Sequence, residues 1–410
     1  MSFNKSKIAM AVAALTFSSG AFATNGILQA GNGMVAHGFG GAGLANAGEA
    51  MAGADNPALI TQTGDAVGVA WSIFSPDRTW TEAGTGIEHA SDAKMFAIPQ
   101  VAFTSKSSDS LSWGIIAYAL GGMNTDYRSG PNFGINPGYA SSQTVDLSGM
   151  IVAPTLSYAF SKDFSAGVSA IIAYENFRVR NLFGMDGNGF GLTATEESST
   201  MGYGVKLGAD WKINDGIAIG AMVQPKLSMG EFDWFKNFLT AFGFSGNAQL
   251  TLPNEFGLGG KFAVGKDVDI VADVLYYQWS GVDVFKYFGW DDQIVYKVGA
   301  EFRTSDKLAL RAGFNYGKSP IAKGNTTGPL NPALGLGATG DSPTFNYPFP
   351  AVSETHITLG LGYNLDKHAS FNAYYLYSPD TKIDSTGPSP VQSIKMNQNA
   401  FGLGINYAVK

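Results

Sequence analysis

The chain has 410 residues, no cysteine and a formal charge of −7, with 14 % charged residues, 13 % aromatics and 53 glycines. The missing thiols exclude disulfide and thiolate chemistry, and an acidic balance without a basic aromatic patch argues against a nucleic-acid partner. So little charge beside so much glycine suits neither a soluble surface nor an ordinary core; it suits a wall whose outer face meets lipid.

At the N-terminus, Lys5 and Lys7 precede a short apolar run over 8–17, and Ala21-Phe22-Ala23 sets small residues at −3 and −1. This pattern predicts a cleaved export signal over 1–23. No later stretch reaches the roughly 20 apolar residues of a spanning helix. Residues 24–65 show no strand period and are built of small residues such as Gly38, Gly40, Gly41, Ala42 and Gly43. They are expected to form a hatch inside a lumen, since a flexible tail would carry more charge.

From residue 66 onward, apolar and small or polar residues alternate with period two. Met201, Tyr203, Val205, Leu207 and Trp211 lie on one face, with Gly202, Gly204, Lys206, Gly208 and Asp210 on the other. Ile357, Leu359, Leu361 and Tyr363 oppose His356, Thr358, Gly360 and Gly362 in the same way. About fourteen such segments are expected, at 66–74, 94–104, 111–120, 144–160, 164–179, 200–212, 216–229, 248–264, 268–279, 292–304, 307–317, 354–365, 369–379 and 398–409. Short polar turns such as Ser107-Ser108-Asp109 and Asn214-Asp215-Gly216 alternate with long links such as 121–143, 230–247 and 318–353. That asymmetry is the outer-membrane barrel pattern. The expected fold is an all-β, 14-stranded antiparallel transmembrane barrel over 66–410, with both termini periplasmic. A lumen of that size needs closing, which the hatch would do.

Within 24–65, Asn56-Pro57-Ala58-Leu59 closes the glycine- and alanine-rich run directly before the first strand. Leu250-Thr251-Leu252-Pro253 opens a strand, Trp279-Ser280 ends one, and Ser319-Pro320 begins a long loop. The ordered set resembles the FadL/TodX-type outer-membrane transporters of long-chain fatty acids and aromatic hydrocarbons, across the whole mature chain. The resemblance implies capture of a hydrophobic small molecule on extracellular loops, binding in the lumen, and hatch movement that releases it sideways through the wall. It also implies long-chain fatty acids as substrate, with neutral hydrocarbons of the toluene type as the alternative. The C-terminal Tyr407-Ala408-Val409-Lys410 departs from the aromatic ending common in such barrels.

Three groups are candidate sites. Asn56, Pro57 and Ala58 form the hatch motif. Phe232, Trp234, Phe235, Phe238, Leu239, Phe242 and Phe244 form an aromatic patch in a loop expected to face water, suited to capturing substrate. The competing expectation packs that loop on its neighbour around Leu182, Phe183 and Phe190. Lys206, Lys226, Lys297, Arg303 and Arg311 share the inward parity of their strands, and could meet a carboxylate or pair with Asp210, Glu301, Glu49 and Asp55. The four histidines, His37, His89, His356 and His368, have no nucleophile or metal-ligand spacing, so no enzyme, metal or cofactor is expected. A monomer in outer-membrane lipid is the expected state, with a polar porin or barrel enzyme as weaker readings.

Overall fold

The structure, a computed structural model, describes residues 25–81, 86–128, 143–180, 183–186, 189–192, 196–241, 244–321, 346–384 and 393–409. The expected export signal and Phe242 lie outside the described residues, as does Leu182. Fourteen strands make the wall: Ala66–Thr81 (β1), Phe96–Lys106 (β2), Leu111–Tyr127 (β3), Gln143–Ala159 (β4), Phe164–Arg180 (β5), Glu196–Asn214 (β6), Ile217–Gln224 (β7), Asn254–Val264 (β8), Val268–Gln278 (β9), Gln293–Arg303 (β10), Leu308–Gly317 (β11), Thr355–Asn364 (β12), Ala369–Asp384 (β13) and Ser393–Ala408 (β14). Each pairs antiparallel with its chain neighbour, and β14 pairs back on β1. The sheet therefore closes without an edge, as hydrocarbon surroundings require. Alternation sorts the side chains: Leu359 is 59 % exposed on the outside, while Thr358 beside it is buried against the lumen contents.

Those contents are residues 25–64, with short helices at Gly33–Gly38, Ala52–Asp55 and Ile60–Thr63. The wall is bare where they touch it. Gly167 and Gly208 sit opposite each other on β5 and β6, and a Cβ on either would fall onto the backbone or side chains of Asn56–Pro57–Ala58. Gly299 and Gly313, opposite each other on β10 and β11, back onto Phe39 and Gly40 in the same way. Much of the inner-face glycine thus marks the hatch footprint.

Two expected strands are shorter than the alternation suggests. The segment 216–229 ends at Gln224 and 248–264 begins at Asn254, because Pro225 and Pro253 lack the amide hydrogen a ladder needs. Ser228–Met229 instead pairs on β6, and the residues between carry the helix Asp233–Ala241. Lys226 thereby leaves the lumen and donates to the Gly281 carbonyl at 2.9 Å. Conversely, β1, β3 and β13 run past their expected ends at 74, 120 and 379.

β3 overruns for a particular reason. Its rungs to β2 stop at Val101↔Ala117, although its pairing with β4 continues to Tyr127↔Gln143. From Ile116 onward nearly every residue of β3 is buried whichever way it points, so the strand has bent into the lumen. The bend centres on a register shift between Ala119 and Gly121, with Gly121 at φ +137°. A side chain there would also strike the Ile27 carbonyl, so only glycine fits. The wall between β2 and β3 is left with a window, closed above by the isolated bridge Ser91↔Tyr127.

Candidate functional site

The Asn56 motif seats the hatch on the wall. Asn56 Nδ2 donates to Leu44 O at 2.7 Å and to Ala209 O of β6 at 2.9 Å. Its Oδ1 accepts from Ala58 N at 3.1 Å, capping the short 3₁₀ turn that Pro57 opens. Ser157 Oγ of β4 donates to Pro57 O at 2.6 Å. On the opposite wall, Asp273 of β9 accepts from Gly43 N and Leu44 N at 2.7 and 3.1 Å. Thr358 on β12 donates to Gly38 O and accepts from Gly40 N.

Between hatch and wall lies a cavity of about 50 Å³. Leu28, Leu120, Ile151 and Leu275 form its apolar part; Asp55, Lys206, Glu255, Asp273 and Lys297 form the charged part. Tyr118, Ala119 and Leu120 line it at the bend of β3, so the cavity abuts the window. The volume admits roughly three or four waters and is well under the ~150 Å³ that holds a benzene ring. A whole ligand enters only if the hatch or the roof gives way.

A side-chain bridge spans the window. Gln29 Nε2 of the hatch donates to Ala119 O on β3 at 3.5 Å, and Gln29 Oε1 accepts from Gln100 Nε2 on β2 at 3.2 Å. Gln100 Oε1 in turn accepts from Gly33 N at 2.8 Å. Where the rungs between β2 and β3 stop, this hatch residue meets one carbonyl of β3 and one side chain of β2.

The candidate cations separate into different roles. Lys206 donates to Ala54 O at 2.7 Å and lies 5.8 Å from the Tyr118 ring centroid. Arg311 pairs with Glu301 at 2.7 Å and lies over the hatch residue Phe39. Arg303 sits on the short-turn rim, bound to Asp269 and Glu301 at 2.8 and 3.0 Å, away from the cavity. Lys297 is 6 % exposed, lines the cavity, and has no hydrogen-bond or ion-pair partner among the described residues. His356 is a satisfied lumen group between Asn315 and Gln398.

The aromatic loop differs from its expectation as a water-facing patch. Phe232 and Phe235 are each 1 % exposed, and Leu239 and Phe244 are buried as well. Phe177 of β5 offers an apolar surface that Phe232 and Phe235 meet at 5.4 and 5.0 Å between ring centroids, and Phe349 joins it at 6.1 Å. Trp234 and Phe238 are partly buried against the same cluster, with Trp234 Nε1 donating to Ser198 Oγ. The helix has turned its rings inward as a roof over the lumen.

Alternation did not single out Gln100, Glu255, Asp273 or Tyr118. The inward parity of Asp273 with Asp269 was readable in the sequence; Gln29, with no strand to set its direction, carried no signal.

The closed fourteen-stranded barrel has counterparts among known proteins. The family model for outer membrane protein transport protein (OMPP1/FadL/TodX) matches residues 10–329. The chain belongs to this family. Among solved structures, the Pseudomonas putida toluene transporter TodX superposes with a TM-score of 0.70 at 16 % identity, covering 92 % of this chain and 99 % of that one. The Ralstonia pickettii toluene transporter TbuX gives 0.67 at 15 %, covering 92 % and 98 %. A Pseudomonas aeruginosa FadL homologue gives 0.65 at 14 %, covering 96 % and 100 %. At such identities these neighbours share the fold. A Neisseria meningitidis serogroup B protein, NMB0088, named as an outer-membrane protein, is 26 % identical over 164 residues, 31 % of this chain. That match spans about a third (35 %) of the relative's own length. As a FadL/TodX-type protein, the chain is an outer-membrane transport barrel.

Proposed function

We propose that the protein admits small hydrophobic compounds beneath the aromatic roof, holds them in the cavity above the hatch, and releases them sideways through the window between β2 and β3. The short-turn end, with both termini, faces the periplasm in this reading, and the edgeless barrel works as a monomer without catalysing a reaction. The observation that carries it is the sharing of Tyr118, Ala119 and Leu120 between the cavity lining and the bend that opens the wall. The route straight down is poorly suited to an apolar solute. Below the hatch lies a vestibule of about 1040 Å³ lined by Asp210, Lys212, Lys261, Asp269 and Arg303.

Of the two substrate readings, long-chain fatty acids and neutral hydrocarbons, the cavity favours a neutral head. Three carboxylates stand around two ammonium groups, and Lys206 is already engaged with the hatch. A buried carboxylate would meet like charge as well as Lys297.

A chain without cysteine offers a clean test. Pro99→Cys with Ala119→Cys places thiols on the facing edges of the window, where a short reducible cross-linker can span them. Cross-linking should abolish uptake of labelled toluene and reduction should restore it. Unimpaired uptake through the locked wall would overturn sideways release.

A further inference from the structure

Beyond its bend, β3 keeps one wall partner. From Gly121 to Tyr127 it pairs with β4, while its rungs to β2 have ended at Val101↔Ala117. The other side of this arm is held by β1 and the link after it. Arg78 Nη1 donates to Asn124 O at 2.6 Å, Asp92 N donates to Asp126 O at 2.8 Å, and Asp126 N donates to Ser91 Oγ at 3.0 Å. Two more ties reach a different part of the molecule. Thr125 Oγ1 donates to Pro348 O at 3.1 Å and Tyr127 Oη to Tyr347 O at 2.9 Å, both from buried side chains.

Tyr347 and Pro348 belong to residues 346–352, a strap whose other contacts lie in the roof. Asn346 Oδ1 accepts from Trp290 Nε1 at 2.7 Å, and Asn346 Nδ2 donates to Phe288 O at 2.8 Å. The Phe349 ring lies 5.5 Å from that of Phe288 and 6.1 Å from that of Phe177, centroid to centroid. Phe177 is also the surface on which the roof helix seats Phe232 and Phe235. One ring thus supports both roof pieces, and the strap carries the arrangement to β3 through two hydroxyl groups. Closely packed rings change between discrete arrangements and do not stretch. A solute passing beneath the roof has to lift Phe349 from this cluster, and the lifted strap takes away the acceptors of Thr125 and Tyr127. A buried hydroxyl left without its acceptor destabilises the position it holds.

We infer that Thr125 and Tyr127 are positioning residues of the exit: they hold the upper arm of β3 in place while the strap is seated, and free it when a solute lifts the strap. The inference rests on the sideways release proposed above and adds what times it. Linkage makes the effect reciprocal, so an arm that has let go loosens the strap by the same factor.

A single thiol at the margin of the window reads the arm directly. Ile98 is buried on β2, in the stretch that has no rung to β3, and the chain has no cysteine of its own. Ile98→Cys is placed in vesicles whose lipid carries a maleimide on an acyl chain, a probe that arrives only from the membrane side. Thr125→Val with Tyr127→Phe keeps both shapes and removes both hydroxyls. It should speed labelling about tenfold or more, the factor expected for two lost hydrogen bonds. Thr125→Ser keeps the hydroxyl and should leave the rate unchanged. Phe349→Ala, which unseats the strap from the roof, should speed labelling as well. Should that variant fail a heat-modifiability check of folding, Asn346→Ala cuts the tie to Trp290 with the same expectation. Combined with the hydroxyl changes, either strap variant should add nothing, because the link is already cut. Hydrogen exchange over 346–352 should rise in the Thr125→Val/Tyr127→Phe protein. A native labelling rate in the strap variants would overturn the inference, and so would rates that multiply on combination, which mark two independent supports. Sideways release is judged apart from this: uptake through the wall cross-linked between Pro99→Cys and Ala119→Cys defeats it whatever the labelling shows.

Discussion

Glu49 and His37 show how single side chains set the behaviour of the hatch. Burial pushes the Glu49 carboxyl up to about 7, against the pull of the Val35 amide and of Arg311. Burial also holds His37 down at about 4, against its hydrogen bond to Gly33 O. The signs oppose. Relative to the unfolded chain, Glu49 stabilises the seated hatch fully below pH 4.5, and that contribution is lost as pH rises through 7. His37 does the reverse, its contribution being present above 6.5 and lost as pH falls towards 4. Burial raises Asp55 too, which adds to the Glu49 side. Hydrogen exchange of residues 33–55, corrected for intrinsic rates, should show Glu49→Gln turning the hatch acid-sensitive and His37→Gln turning it acid-stabilised. The same slope in both variants would refute the opposition. On the outer face, Leu359→Arg should cost about 2–4 kcal/mol in folding titrations into lipid if it lies near the bilayer midplane. Which residues face out was legible from period two alone. Which lumen cations were free was not, because Lys206 and Lys297 share the same parity and differ only in what the hatch brings to them.

At the level of elements, the roof helix and β3 are where local pattern and tertiary demand part company. The rings of Asp233–Ala241 were legible as one helical face, but not the surface that would cover them, since Phe177 and Phe349 come from distant parts of the chain. Phe235→Ser should therefore loosen the roof before it touches any ligand contact. Burial of a full ring being worth about 3–5 kcal/mol on truncation, protection from exchange over 228–252 should fall sharply while the wall strands stay protected. Unchanged protection would return the rings to a surface role. β3 misled for a related reason. Its alternation ends near residue 120, which reads as the end of a strand; the strand continues with both faces buried, where no alternation is needed. The signal left in the sequence was Gly121-Gly122 inside an otherwise regular segment.

For the whole molecule, closure and plugging are separable. Fourteen strands enclose more space than the eight whose side chains fill a small barrel. Deleting residues 25–55 should leave a folded barrel that conducts ions in a planar bilayer, and a silent truncated barrel would mean that the roof, not the hatch, makes the seal. The window between β2 and β3 bears on timing as well as route. In hydrocarbon, each backbone amide or carbonyl without a partner costs several kcal/mol, and along the window Gln29 supplies a substitute partner for Ala119 O while Gln100 holds the Gln29 side chain in place. Withdrawing Gln29 to let a solute out removes that substitute while adding no new one. If solutes leave sideways, as proposed above, the wall is spring-loaded towards the shut position: its restoring force is the unmet hydrogen bonding of its own backbone, and each opening lasts only as long as a passing molecule or a lipid tail holds the strands apart.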